Sequence, residues 1–238
     1  MSTAAQPSPA KKWNPRILIV TNAVYFLLFL VVTLLIMRKW RSPDPWAALD
    51  ANVIIILALT LVYCFQQLIL YPSIFKTRDS MNLFVGKAFD PKMPAMLGIL
   101  GTIELLAFAD YAHWHLVPAL RTPLLQIPGL IIMFAGLLWM FYVDRYMGAH
   151  FLEAWSTHKL MTGGPYRYMR HPRYLALLFS RVGFALAISS IIALLILSGW
   201  FALVWLRMKR EERYLFVEFD GEYEQFMRTH ARLLPGLY

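Results

Sequence analysis

The chain has 238 residues, 59% of them apolar and 16% charged, with a net charge of +9 and a single cysteine. Soluble domains carry about 25% charged residues, so this composition belongs to a membrane protein and excludes disorder, collagen-like repeats and disulfide scaffolds. Excess Lys and Arg in so apolar a chain orients membrane helices, and no nucleic-acid partner is expected. Cys64 can form no internal bridge. Gly-x-Gly occurs nowhere, so a glycine-rich dinucleotide or cofactor turn is absent too.

In chain order, residues 1–15, rich in Ala, Pro, Ser and Lys, read as a disordered tail. Residues 17–37 and 51–71 each run 21 residues without a charge, enough to cross a hydrocarbon core of ~30 Å. Residues 72–94 read as a polar inner loop. Residues 94–112 read as a span in spite of Glu104 and Asp110, and residues 124–143 as another, ending at Asp144 and Arg145. Residues 174–206 are apolar apart from Arg181. A single helix of that length would be about 50 Å long, too long for tilt to absorb. The spacing predicts two helices turning at Ser189-Ser190.

The fold expected is therefore all-α: a polytopic membrane bundle of about six segments with a C-terminal hairpin and a cytosolic tail helix. The organisation expected is a tail over 1–15, N-terminal transmembrane helices over 16–123 and a catalytic region over 124–238. With both termini cytoplasmic, 18 Lys and Arg fall inside and 4 outside, the asymmetry that membrane insertion favours.

Most of the acids and four of the six histidines lie from Asp144 onward. Two clusters flank the overlong apolar run: 162–174, with Arg170-His171-Pro172, and 207–213, with Arg207, Glu211 and Glu212. A hairpin centred on 189–190 brings His171 level with residue 208. Arg207 and Glu211, four apart, share a helix face that Tyr214 and Glu218 continue. Pro172 suits a first helical turn, which leaves His171 at a helix N-terminus where donors face an anionic group. Arg170 can grip a carboxylate with two hydrogen bonds, and Glu211 and Glu212 can take an ammonium, a hydroxyl or a proton. A zwitterionic, amino-acid-bearing cofactor suits both ends. The plainer alternative is a basic belt with surface salt bridges. Arg181, inside the membrane, needs a partner: it lines an acceptor pocket or pairs with Glu104 or Asp144. His113 and His115 sit in an outer loop without Cys, and no metal site is expected.

Thr162-x-Gly164-x-Tyr166-x-x-x-Arg170-His171-Pro172-x-Tyr174, then Arg207-x-x-x-Glu211-Glu212, then Phe219-x-Gly221-x-Tyr223 resembles the isoprenylcysteine carboxyl methyltransferase family, whose wider group includes membrane phospholipid N-methyltransferases. The resemblance covers the C-terminal end, takes in His158 and Gly183, and stops short of the first three spans. It implies transfer of a methyl group from S-adenosylmethionine to a lipid-like or amphiphilic acceptor at the cytoplasmic interface. Carried over by position, Tyr166, Arg170, His171, Pro172, Tyr174 and Glu212 line the cofactor pocket, and Arg207 and Glu211 are the catalytic or acceptor-positioning pair. The chain departs from the family pattern at Ala176, usually Gly, and at His150, aligned with an Asn.

Two other functions fit parts of the pattern. Membrane sterol reductases using NADPH share a His-Pro-x-Tyr motif and a tail ending in Pro-x-x-Tyr, but they carry Asn where this chain has Arg173, followed by a Gly and an acid that are absent here. A transporter would rest on Glu104, Asp144 and Arg181 as an ion path and would leave the interfacial clusters unexplained. Within methyl transfer, a phospholipid amine or a small thiol remains open as acceptor.

Overall fold

The computed structural model describes residues 15–38, 43, 44, 46, 50–66, 104–157 and 159–234. The expected N-terminal tail (residue 15 apart), the polar loop 72–94, the first part of the 94–112 segment and His158 lie outside the described residues.

Among the described residues the architecture is all-helical. The helices are α1 (Pro15–Met37), α2 (Ala51–Phe65), α3 (Pro123–Ser156), α4 (Pro172–Ala187) and α5 (Ile191–Thr229). A helical stretch over 104–109 runs into a π turn at Asp110–Trp114. Among the described residues, two helices are long and apolar enough to cross a membrane, Pro123–His150 and Ile191–Thr229. On α3 the side chains of Leu124, Ile127, Ile131, Phe134, Leu138 and Phe141 are all exposed. They recur every three or four residues and so form one outward apolar stripe, a surface that suits lipid and not water.

Ser190 starts α5, its hydroxyl accepting from the Ala193 N–H at 3.4 Å, and Ser189 before it sits at φ 56°. The chain therefore breaks between Ala187 and Ile191. About twenty residues further on, α5 lies beside the start of α4, where the Tyr174 hydroxyl donates to Glu211 Oε1 at 2.6 Å.

Helices α3 and α4 pack backbone against backbone. A Cβ on Gly129 would fall 2.3 Å from the Ala187 nitrogen, one on Gly136 2.5 Å from the Ser180 nitrogen, and one on Gly183 2.2 Å from the Met133 nitrogen. On α4 the small residues Ala176, Ser180, Gly183 and Ala187, all buried, repeat every three or four positions and form the face that meets α3. Small residues at this spacing let membrane helices gain van der Waals contact where no hydrophobic drive exists between them. The indole of Trp139 on α3 donates to the Pro172 carbonyl at 3.1 Å and fixes the start of α4 in the same interface.

Buried polar pairs tie the other helices to this core. Arg181 on α4 pairs with Glu104 and lies 3.5 Å from the ring centroid of Tyr63 on α2. Of the alternatives for Arg181, the structure takes the pairing with Glu104. Asp144 on α3 instead accepts from Arg173 Nε at 2.9 Å and Gln66 Nε2 at 3.3 Å. At the opposite end, Asn52 donates to the Ala187 carbonyl at 3.1 Å. There Asp50 caps α2 through the Val53 N–H and accepts from the Tyr111 hydroxyl. His113 and His115 are paired with backbone carbonyls of Ile36 and Asp110.

The glycine contacts give a signed test. Gly136→Ala and Gly183→Ala force backbone apart and should each destabilise by roughly 1–3 kcal/mol. Gly199 on α5 has open space around it, so Gly199→Ala should stabilise by about 0.5–1 kcal/mol through lower unfolded-state entropy. Thermal unfolding in detergent reads all three, and equal effects at Gly199 and Gly183 would refute the close packing.

Candidate active site

Pro172 begins α4, and His171 before it is non-helical at φ −127°, with no side-chain cap hydrogen bond. Its imidazole is therefore left to face across the helix pair. On the other side stand Glu211 and Glu212, adjacent on α5, whose side chains diverge by about 100° around the helix. Glu212 is 6% exposed, whereas the side chain of Glu211 is 35% exposed.

Glu212 is the centre of the buried half. Its Oε1 meets Arg170 Nη1 at 2.9 Å and His171 Nε2 at 3.2 Å. Arg232 holds both oxygens in a fork, Nε at 3.0 Å from Oε1 and Nη2 at 2.7 Å from Oε2. Burial pushes the Glu212 carboxyl up, but hydrogen bonds from His171 and Arg232 and the charge of Arg170 outweigh it and hold the group down at about 2.

Glu211 organises the outer half. Its Oε1 accepts from the Tyr174 hydroxyl at 2.6 Å and from Arg207 Nε at 3.1 Å. Arg207 also lies 5.9 Å from the ring centroid of Tyr174. His171 joins the halves: its Nδ1 is 3.9 Å from Glu211 Oε2 while its Nε2 faces Glu212, and its ring meets Tyr174 edge-on at 5.6 Å. Tyr214 donates to Glu218 at 3.3 Å further along α5.

Six of the eight residues singled out in the sequence thus converge: Arg170, His171, Tyr174, Arg207, Glu211 and Glu212. Pro172 contributes its helix start and its carbonyl. Tyr166 faces α3 instead, its hydroxyl 3.6 Å from the Met147 sulfur and its ring 6.4 Å from that of Tyr146. Tyr146 fills the space against Gly163 and Gly164, where any Cβ would strike its ring or hydroxyl, and stacks on His150 at 4.2 Å.

Arg232 was missed by reasoning from motifs. The tail returns to the site because α5 kinks at Asp220, which has φ 41° and ψ −122°. Residues 231–232 then run beside 169–171: the Arg170 N–H donates to the Ala231 carbonyl at 2.9 Å and the His171 N–H to the Arg232 carbonyl at 3.1 Å. The Asp220-Gly221 pair is a turn signal that could have flagged the bend. A cavity of about 530 Å³ opens here, walled by Arg170 and Arg232 with Glu224, Arg228 and His230.

Residues 121–220 match the family model described as phospholipid methyltransferase. Over that region the chain is similar to this family. A protein-S-isoprenylcysteine O-methyltransferase of Dictyostelium discoideum is 28% identical over 142 residues. The match takes in 56% of this chain and spans 60% of that relative's length. No solved structure matches the chain. The matched family region contains every residue of the two motif clusters and ends before Arg232.

The cluster makes a pH prediction. Glu212 sits below its ordinary value of 4.5 when folded, so the stability it contributes is fully present above pH 4.5 and is lost as pH falls toward about 2. Glu212→Gln should lower stability at pH 6 and flatten the acid limb. Unfolding temperatures in detergent from pH 6 to 3 check this, and parallel acid limbs for the two proteins would refute it.

Proposed function

We propose that this chain is an integral-membrane methyltransferase that moves a methyl group from S-adenosylmethionine to a lipid-like or amphiphilic acceptor, in the manner of the isoprenylcysteine carboxyl methyltransferases. The observation that carries the reading is the convergence of Arg170, His171 and Glu212 with Tyr174, Arg207 and Glu211 across α4 and α5, inside a region similar to the phospholipid methyltransferase family. In this reading the bundle has six membrane segments with both termini cytoplasmic, and the site faces the cytosol.

The residues present fit the donor. Arg170 is only 7% exposed at its side chain, yet its Nε is buried with no hydrogen-bond partner. An unpaired buried donor is costly, and Arg170 lines a cavity whose volume lies within the range of about 300–1,000 Å³ typical of small-molecule sites. The walls offer cations for a carboxylate and Glu224 for an ammonium, the two ends of an amino-acid moiety. When bound, S-adenosylmethionine supplies a methyl group on a positively charged sulfur.

The chain's own residues then have separable roles. Arg170 and His171 hold the donor's anionic end, with Glu212 fixing both. Arg207 attracts a carboxylate acceptor, and Glu211 keeps Arg207 and the Tyr174 hydroxyl in place. A carboxylate nucleophile needs no base, so alignment and exclusion of water supply the rate. An amine acceptor would instead call on Glu211 to take a proton, and the family model's description keeps that second acceptor class in view.

Equilibrium binding to the detergent-purified protein tests the donor: S-adenosylmethionine and S-adenosylhomocysteine should bind saturably. Binding of NADPH alone would overturn the reading in favour of a reductase. With a prenylated cysteine analogue and phosphatidylethanolamine as competing acceptors, labelled methyl should appear in the prenylated carboxylate.

Glu211→Gln keeps shape and removes charge. It should leave donor affinity within about twofold and lower turnover by roughly one to two decades, the cost of one charge-assisted hydrogen bond. The exchange Arg207→Glu with Glu211→Arg keeps the ion pair and should stay inactive. Full activity in the exchanged protein would reduce the pair to a surface salt bridge.

A further inference from the structure

Arg232 lies outside the family-matched region and belongs to neither motif cluster, yet it makes the most extensive contact with Glu212. Among the described residues, its guanidinium is the partner that holds both carboxylate oxygens, at 3.0 Å and 2.7 Å. The same guanidinium lies 4.7 Å from the ring centroid of Trp205. Trp205 and Glu212 are seven residues apart, two turns along one face of α5. Arg232 is therefore laid along α5 and anchored at both ends. Its backbone carbonyl receives the His171 N–H, and that of Ala231 receives the Arg170 N–H. One tail segment thus contacts Glu212, Arg170 and His171 together.

Sharing of Glu212 is what matters for Arg170. A carboxylate has about four acceptor positions, and the Arg232 fork occupies one lone pair on each oxygen. Arg170 reaches Glu212 through Nη1 alone, at 2.9 Å, and is one of the residues that wall the cavity. Without the fork, the forked geometry that guanidinium and carboxylate favour becomes available to Arg170 itself. A second Arg170 nitrogen would then turn to Glu212 and draw the guanidinium away from the cavity wall.

We propose that Arg232 is a positioning residue: by taking both oxygens of Glu212 it limits Arg170 to a single contact there and keeps the Arg170 guanidinium at the cavity wall for the anionic end of the donor. The C-terminal tail is then part of the binding site and acts through Arg170 without touching the ligand's reacting atoms. This rests on the donor reading given under Proposed function.

The groups facing Glu212 are Arg170 and His171 from the segment before α4, Arg232 from the tail, and Glu211 and Tyr223 from α5 itself. Burial keeps the Tyr223 phenol raised and protonated, so near neutral pH Arg232 supplies one of two fixed positive charges around the carboxylate. Its removal raises the Glu212 pKa from about 2, so the carboxylate is protonated more readily as pH falls.

The experiment measures S-adenosylhomocysteine affinity of the full chain in detergent from pH 5 to 8 for wild type, Arg232→Met and Arg232→Lys. Arg232→Met keeps the length and should weaken binding about tenfold or more at pH 7, the size expected for one charge-assisted contact, with a steeper loss toward pH 5. Arg232→Lys keeps the charge without the fork, so it should restore the flat pH profile but not the affinity. A purely structural brace predicts lowered unfolding temperature with wild-type affinity and profile, and that result overturns the proposal. If Arg232→Met does not fold, Arg232→Lys decides alone, because unchanged affinity there equally excludes a role for the fork. Wild type that fails to bind S-adenosylhomocysteine removes the donor reading and this inference with it, an outcome distinct from normal binding in both variants.

Discussion

A carboxylate taken out of water needs hydrogen-bonding or charged partners close by, and Glu212 has three such side chains from two stretches of chain. Removing one partner of such a group strands charge and costs about 3–5 kcal/mol. That constraint fixes more than one side chain. Arg170 and His171 come from the turn before α4, Arg232 from beyond the kink in α5, and Glu212 from α5 itself. The two backbone hydrogen bonds between 170–171 and 231–232 then follow, because those segments are already held over one carboxylate.

The close approach of α3 and α4 positions the segment before α4 for this meeting. Gly129, Gly136 and Gly183 remove the side chains that would otherwise separate the two helices. The Trp139 indole on the Pro172 carbonyl locks the same interface one residue from His171. Helix packing without a hydrophobic drive depends on such contacts. A methyl group added at Gly183, more than two turns from the site along α4, would therefore shift the residues that face Glu211 and Glu212.

Length and residue type made part of this legible. A 33-residue apolar run cannot be one membrane helix at 1.5 Å per residue, and the break falls between Ala187 and Ile191. The spacing of Arg207 and Glu211 placed them on one helix face, and the structure bonds them at 3.1 Å. The small-residue stripe of α4 was equally present in the sequence and passed unread, since its letters carry no charge or chemistry. Arg232 was harder to read: only the Asp220-Gly221 turn signal hints at the positive-φ residue that sends the tail back to the site. Tyr166 carried the right motif spacing, but the loop over 164–167 turns its ring onto α3.

The pairing of two consecutive acids explains how one short stretch of α5 serves two ends of a site. Helical neighbours point about 100° apart, so Glu211 and Glu212 cannot share a ligand. Glu212 turns inward to the tail and the Arg170 segment, and Glu211 turns toward Tyr174 and Arg207, where it keeps a third of its side chain exposed. Only a group lying between them can sense both, and His171 does so, with one ring nitrogen toward each carboxylate. An imidazole has two distinct ring nitrogens, so one flat ring reaches both carboxylates. Replacing His171 by Gln would retain a contact with one carboxylate and lose the other. On the proposed donor reading, its effect should therefore appear in both donor affinity and turnover, whereas changes at Glu211 or Arg232 should be confined to one side.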